Sequence, residues 1–202
     1  RPAIADQTFV ICSEQGFTMA PVNGVPNAIT IVPVGTTYNW TISNNSNITG
    51  ASAGTGAQIS QLLTNTSATI QTIIYTVTPT AGSCSGNPFT ITVDVYPKPN
   101  VQFDLPNQII CNNTASTVVN LSSTLTGAIT FAWTANIPVG ISGAIASGTN
   151  SIPVQTLLNS TNTPLTITYT AAATFTSNGN SCTGNDVIYT ITVNPTFTAT
   201  GV

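Results

Sequence analysis

Residues 50–54 read Gly-Ala-Ser-Ala-Gly, the G-x-S-x-G spacing that presents a serine nucleophile when it sits on a strand-to-helix turn. Such a serine attacks an acyl carbon only if a base takes its proton, and this chain of 202 residues holds no histidine. The position matching Ser52 in the second half of the chain is Ile145, so the motif is not repeated where its surroundings are. The five acids, Asp6, Glu14, Asp94, Asp104 and Asp186, are scattered. They form neither the carboxylate pair of acid–base hydrolysis nor a calcium loop. The Gly50–Gly54 segment is therefore read as a turn, and the chain as no enzyme with no catalytic or cofactor-binding residue.

Cysteine is the other reactive type. Cys12, Cys84, Cys111 and Cys182 are not grouped as C-x-x-C, and with no histidine they make no zinc set. The spans from Cys12 to Cys84 and from Cys111 to Cys182 are nearly the same length. The expectation is two disulfides, Cys12–Cys84 and Cys111–Cys182, each stapling one half of the chain in an oxidising, exported setting. In the chain-entropy account, loops of that size are worth about 4 kcal/mol each.

The elements that hold these residues are written twice. Cys84 to Pro97, CSGNPFTITVDVYP, returns as Cys182 to Pro195, CTGNDVIYTITVNP. In the first copy Phe89, Ile91, Val93 and Val95 alternate with Thr90, Thr92, Asp94 and Tyr96, the period of a half-buried strand. Val187, Tyr189, Ile191 and Val193 repeat the pattern. An offset of 98 residues between Cys84 and Cys182 divides the chain into two domains, 1–98 and 99–202. Tyr96-Pro97-Lys98-Pro99 joins them, and the prolines at Pro97 and Pro99 make this linker short and semi-rigid.

Composition agrees with strands. Charged residues are only 3% of the chain and hydrophobic residues 41%. More than a third of the positions are Thr, Ser or Asn, which favour strands and turns over helices. Two basic residues, Arg1 and Lys98, give no electrostatic footprint for nucleic acid or an anionic membrane surface. No apolar run reaches the length of a membrane span, and the first residues do not read as a signal peptide. The chain reads as a mature or excised fragment.

Each half carries one Trp on a central strand. Tyr38, Trp40 and Ile42 alternate in the first, and Ile129, Phe131 and Trp133 in the second. That pattern assigns Trp40 and Trp133 to core packing rather than to stacking on sugar rings. Gly50 and Gly143 follow ten residues later, then Gly54-Thr55 and Gly148-Thr149, which suggest turns and close backbone approach. Tyr75 and Tyr169 sit at alternating positions of the penultimate strands and are assigned to the core. Thr174 to Ser181 is longer than its counterpart and reads as a loop insertion. Phe17, Tyr96 and Phe175 lie in less constrained places and are the candidates for sugar contact. Asn39, Asn44, Asn47, Asn65, Asn112, Asn120 and Asn159 open Asn-x-Ser/Thr sequons, which an Asn- and Thr-rich chain yields by chance.

Six or seven short strands per hundred residues, turn-rich connections and an inward Trp read as all-β, two tandem immunoglobulin-like β-sandwiches. The hairpin TVTPTAGSCSGNP, the TITV strand and the closing Pro resemble the PKD-like, immunoglobulin-like tandem repeats of giant bacterial cell-surface adhesins, among them the SprB-type gliding-motility adhesins. The resemblance covers essentially the whole chain and is strongest from Thr76 to Pro97. It implies a secreted, extracellular segment at the cell surface, a stalk or adhesive surface whose partners are neighbouring repeats and surface polysaccharide or substratum. The alternative is a carbohydrate-binding accessory module of a secreted protein. Arrays of immunoglobulin-like domains can hold Ca²⁺ at the inter-domain joint, and Asp104, just beyond Pro99, is the acid placed for it.

Overall fold

A chain whose apolar residues alternate with Thr, Ser and Asn buries one face of each strand and leaves the other wet. The computed structural model describes residues 1–196, and they form strands and connections without a helix. The chain divides into two units, Arg1–Lys98 and Pro99–Val202.

The first unit holds β1 (Gln7–Cys12), β2 (Gln15–Met19), β3 (Thr36–Ile42), β4 (Ile48–Thr49), β5 (Gly54–Gly56), β6 (Ile59–Asn65), β7 (Gln71–Ala81), β8 (Cys84–Ser85) and β9 (Phe89–Tyr96). One sheet runs β1-β9-β7-β3-β5, with β8 added to β7, and the other runs β2-β6-β4. All pairings are antiparallel but one: β1 lies parallel to β9, from Gln7 opposite Ile91 to Cys12 opposite Tyr96. Between the sheets, Ile73, Tyr75, Val77, Ile91, Val93 and Val95 pack against Phe17, Met19, Ile59 and Leu63. Each fully buried side chain of this kind contributes roughly 1.5–3 kcal/mol. Trp40 joins the same core at 8% exposure.

The second unit holds β10 (Gln102–Phe103), β11 (Gln108–Cys111), β12 (Thr114–Ala115), β13 (Val119–Ser122), β14 (Ile129–Asn136), β15 (Ile141–Ser142), β16 (Ser147–Thr149), β17 (Ser151–Ile152), β18 (Thr156–Asn159), β19 (Leu165–Ser177), β20 (Asn180–Thr183) and β21 (Val187–Asn194). Its sheet β11-β21-β19-β14-β16, with β20 on β19, repeats the larger sheet of the first unit, and β12-β18-β15 repeats the smaller one. A further sheet, β10-β13-β17, belongs to this unit alone. The parallel pair recurs as β11 on β21, from Gln108 opposite Ile191 to Cys111 opposite Asn194. Trp133, Ile167, Tyr169, Tyr189, Ile191 and Val193 are buried together.

Three expectations are corrected. The extra residues at 174–181 are not a loop: β19 continues to Ser177 and β20 begins at Asn180, so they lengthen the hairpin. Asn178 and Gly179 both take positive φ, 48° and 77°, which closes it in a two-residue turn matched to strand twist. Phe17, Tyr96 and Phe175 are buried and offer no face to a sugar. Phe17 packs its ring against Tyr75 at 5.3 Å and Phe9 at 5.7 Å.

The third concerns the cysteines. Cys84 and Cys111 are exposed free thiols, so neither Cys12–Cys84 nor Cys111–Cys182 is formed. Register gives the reason. Cys12 lies opposite Tyr96, one residue past the Val95–Gln71 pair, whereas Cys84 lies opposite Ala81 at the far end of the same β7. Ten residues of strand separate the two places, roughly 33 Å. A disulfide spans Cα atoms no more than about 7 Å apart.

Candidate functional site

Ser52 lies between β4 and β5 with no base beside it. Its hydroxyl accepts from the Gln61 side-chain amide at 3.1 Å, and its carbonyl accepts from that amide at 2.7 Å and from Trp40 Nε1 at 2.9 Å. The segment latches an indole. Trp133 Nε1 is held in the same way by the Ser151 carbonyl at 2.9 Å. The small residues that follow have a packing reason: a Cβ on Gly54 would stand 2.8 Å from Trp40 Cζ2, and one on Gly148 2.5 Å from Trp133 Cζ2. Gly50 and Gly143 both take positive φ and press on the carbonyls of Leu62 and Thr156.

Two further arrangements recur in both units. Tyr75 donates to Gln61 Oε1 at 2.8 Å, and Tyr169 pairs with Gln155. Desolvation by burial raises both phenols above the ordinary tyrosine value, and it does the same for Tyr38 and Tyr189. Asn65 donates from Nδ2 to the carbonyls of Thr69 at 2.7 Å and Val95 at 2.8 Å, while its Oδ1 accepts from Ser67 N and Oγ. Asn159 donates to Thr163 and Val193 at 2.8 and 2.9 Å, and its Oδ1 accepts from Thr161 N and Oγ1. These two buried asparagines tie a turn of the smaller sheet to the last strand of the larger one. Their role is absent from a reading that treats both as chance sequons. The signal was available in the recurrence of Asn-x-Ser/Thr-x-Thr at 65–69 and 159–163.

The acids do not converge: among the described residues no group of three or more His, Cys, Asp or Glu comes together. Asp104 accepts from Asn120 N at 2.9 Å and from Asn120 Nδ2 at 2.6 Å. The Asn120 side-chain bond, ahead of the backbone one, holds its carboxyl below the ordinary aspartate value. An open groove of about 780 Å³ beside it is lined by Val101, Phe103, Leu105, Pro106 and Tyr189, whose phenol feels the Asp104 charge. Lys98 pairs with Glu14 at 2.7 Å on the surface, a bond of small worth.

What the geometry singles out is the joining of first strand to last. In the first unit Arg1 donates to Asn87, and Gly86 backs on the Pro2 carbonyl, so the chain comes in beside β8 at one end of the sandwich. It leaves past Tyr96 at the opposite end. In the second unit Gly184 backs on the Pro99 carbonyl at the leading end, and Asn112 donates to Thr196 at the trailing end. A pull along the chain draws β1 toward the leading end and β9 toward the trailing end. Because the two strands are parallel, the rungs between them are loaded together in shear rather than one at a time.

Among solved structures the chain is similar to human protocadherin-24 EC1-2 at 8% identity, covering 95% of this chain and 94% of that one with a TM-score of 0.36. It is also similar to mouse cadherin-23 EC22-24 at 13% identity, covering 96% and 64%, TM-score 0.38. A titin I-band fragment, I67-I69, matches at 8% identity over 96% and 65%, TM-score 0.33. Likenesses of this strength carry no argument about function. No curated protein matches the chain. Residues 10–99 and again residues 108–197 match the PKD-like domain. The chain belongs to the PKD-like domain family and carries two copies of it in tandem.

Proposed function

We propose that this chain is a non-enzymatic segment of a large secreted adhesin at the cell surface, whose tandem repeats serve as stalk and adhesive surface in adhesion and gliding motility. The observation that carries the reading is the parallel ladder between first and last strand, β1 on β9 and β11 on β21. This arrangement suits a link in a chain under tension, since a sheared ladder fails only when several rungs give way together. Tandem copies of one module support the same reading, because length is added by repeating a link. The partners are then neighbouring repeats along the chain and the polysaccharide or substratum that the surface grips. A surface of Thr, Ser and Asn with 3% charge suits a neutral, hydroxyl-rich partner, through hydrogen bonds little affected by salt.

Antibodies raised against residues 1–202 test the location. They should label intact cells of the source, and protease added outside should remove the label. Labelling confined to permeabilised cells overturns the reading.

A further inference from the structure

The first strand of each unit meets the last one at a different place. In the first unit β1 begins opposite Ile91, and just ahead of it Asp6 Oδ1 accepts from Thr90 N at 2.6 Å. Counted from Cys84 and Cys182, the residue matching Thr90 is Ile188. In the second unit β11 begins opposite Ile191, and the amide held ahead of it is that of Thr190, by Asn107 Oδ1 at 2.9 Å. Strand alternation turns the N–H and C=O of Ile188 to the same side as those of Thr190, where β11 has no residue to meet them. Its side chain is 61% exposed. A second open edge borders the same space. β10 is the outer strand of a sheet found in this unit alone. Asp104 N donates to the Asn120 carbonyl at 3.2 Å, so Phe103 turns its own N–H and C=O away from β13. Phe103 and Ile188 line one groove, with Val101 and Leu105 along its wall, and Asp104 is the one charged side chain among the described residues that line it.

We propose that this groove takes an extended peptide of a partner protein, which adds a strand along the open edges of β21 and β10, lays apolar side chains on Val101, Phe103 and Leu105, and presents a lysine or arginine to Asp104. Main-chain groups left open at a strand edge are met by another main chain, whose alternate side chains then supply the selection. The charge selects a basic residue: Asn120 fixes both carboxylate oxygens of Asp104, and among the described residues no lysine or arginine pairs with it. The first unit does not take the peptide, because Asp6 caps the matching position of β9. The site lies wholly within the second unit and stands whether or not the chain is part of an adhesin.

The test titrates the full chain, its amide signals read by NMR, with a pool of acetylated heptapeptides that carry Val, Ile, Leu or Phe at alternate positions, Thr between them and one Lys. Saturable binding is expected, with shifts of the Phe103 and Ile188 amides and none at Thr90. Asp104→Asn should weaken it about tenfold, and so should glutamate in place of the peptide lysine. Asp104 is exposed and its exchange leaves the main chain untouched, so the variant keeps the fold. Peptides methylated on alternate amide nitrogens, which cannot bond as a strand, should not bind. Absence of binding, an affinity unchanged by Asp104→Asn, full binding of the methylated peptides, or the same shifts produced by cellohexaose in place of the pool would overturn the proposal.

Discussion

At the scale of single residues, the side chains that matter are buried polar groups rather than reactive ones. Asn159 satisfies two backbone carbonyls with one amide, and among the described residues no buried side-chain nitrogen or oxygen lacks a partner. Asn159→Ala strands those carbonyls, and we expect a loss of about 1–3 kcal/mol in denaturant unfolding. A loss below about 0.5 kcal/mol, the ordinary range for a surface substitution, contradicts the role. The buried tyrosines set an alkaline limit. An unfolded tyrosine titrates near 10, whereas Tyr75 and Tyr169 hold their protons to higher pH in the fold. The unfolded state therefore binds fewer protons above that value, so stability is full below about pH 10 and falls as pH rises through the folded values. Denaturant midpoints should be level between neutrality and about pH 9 and decline beyond about pH 10. Tyrosinate absorbance that rises fully at the ordinary tyrosine pH, with the fold intact, would contradict it.

At the scale of elements, period-two alternation made the strands legible, and the double writing of the Cys84–Pro97 stretch made the module legible. Trp40 and Trp133 were readable because each shares a strand face with other apolar residues, and their glycines because small residues recurred at matched spacing. Gly148→Ala tests that link. Its Cβ meets the Trp133 ring, so about 1–3 kcal/mol should be lost, whereas Thr149→Ala next door, exposed, should stay within about 0.5 kcal/mol. Equal effects would separate the glycine from the indole. The ends of strands were not legible. Spans of equal length cannot say whether two cysteines lie at one end of a sandwich or at opposite ends, because that depends on the register of β8 against β7 and on β1 running parallel to β9. Phe17 was misplaced because the short alternation around it does not declare itself until the other sheet covers it, and Phe175 because β19 was taken to stop short of Thr174, whereas its alternation runs on to Ser177.

At the scale of the whole molecule, one module stands twice in tandem, and the proposed function makes each copy a link that carries tension along the chain. The strength of such a link would lie in the direction of β1 against β9. Single-molecule pulling of the full chain addresses this directly, with handles placed in two geometries on the first unit. Handles at Arg1 and Lys98 load the parallel ladder in shear. Handles at Thr8 and Thr92, register partners on β1 and β9, peel it open from one place. Forced unfolding reads the barrier rather than the equilibrium stability, so the same fold gives two different forces. At one pulling speed, the unit is expected to give way at a clearly higher force between Arg1 and Lys98 than between Thr8 and Thr92. Equal forces, or a lower one between Arg1 and Lys98, would contradict it.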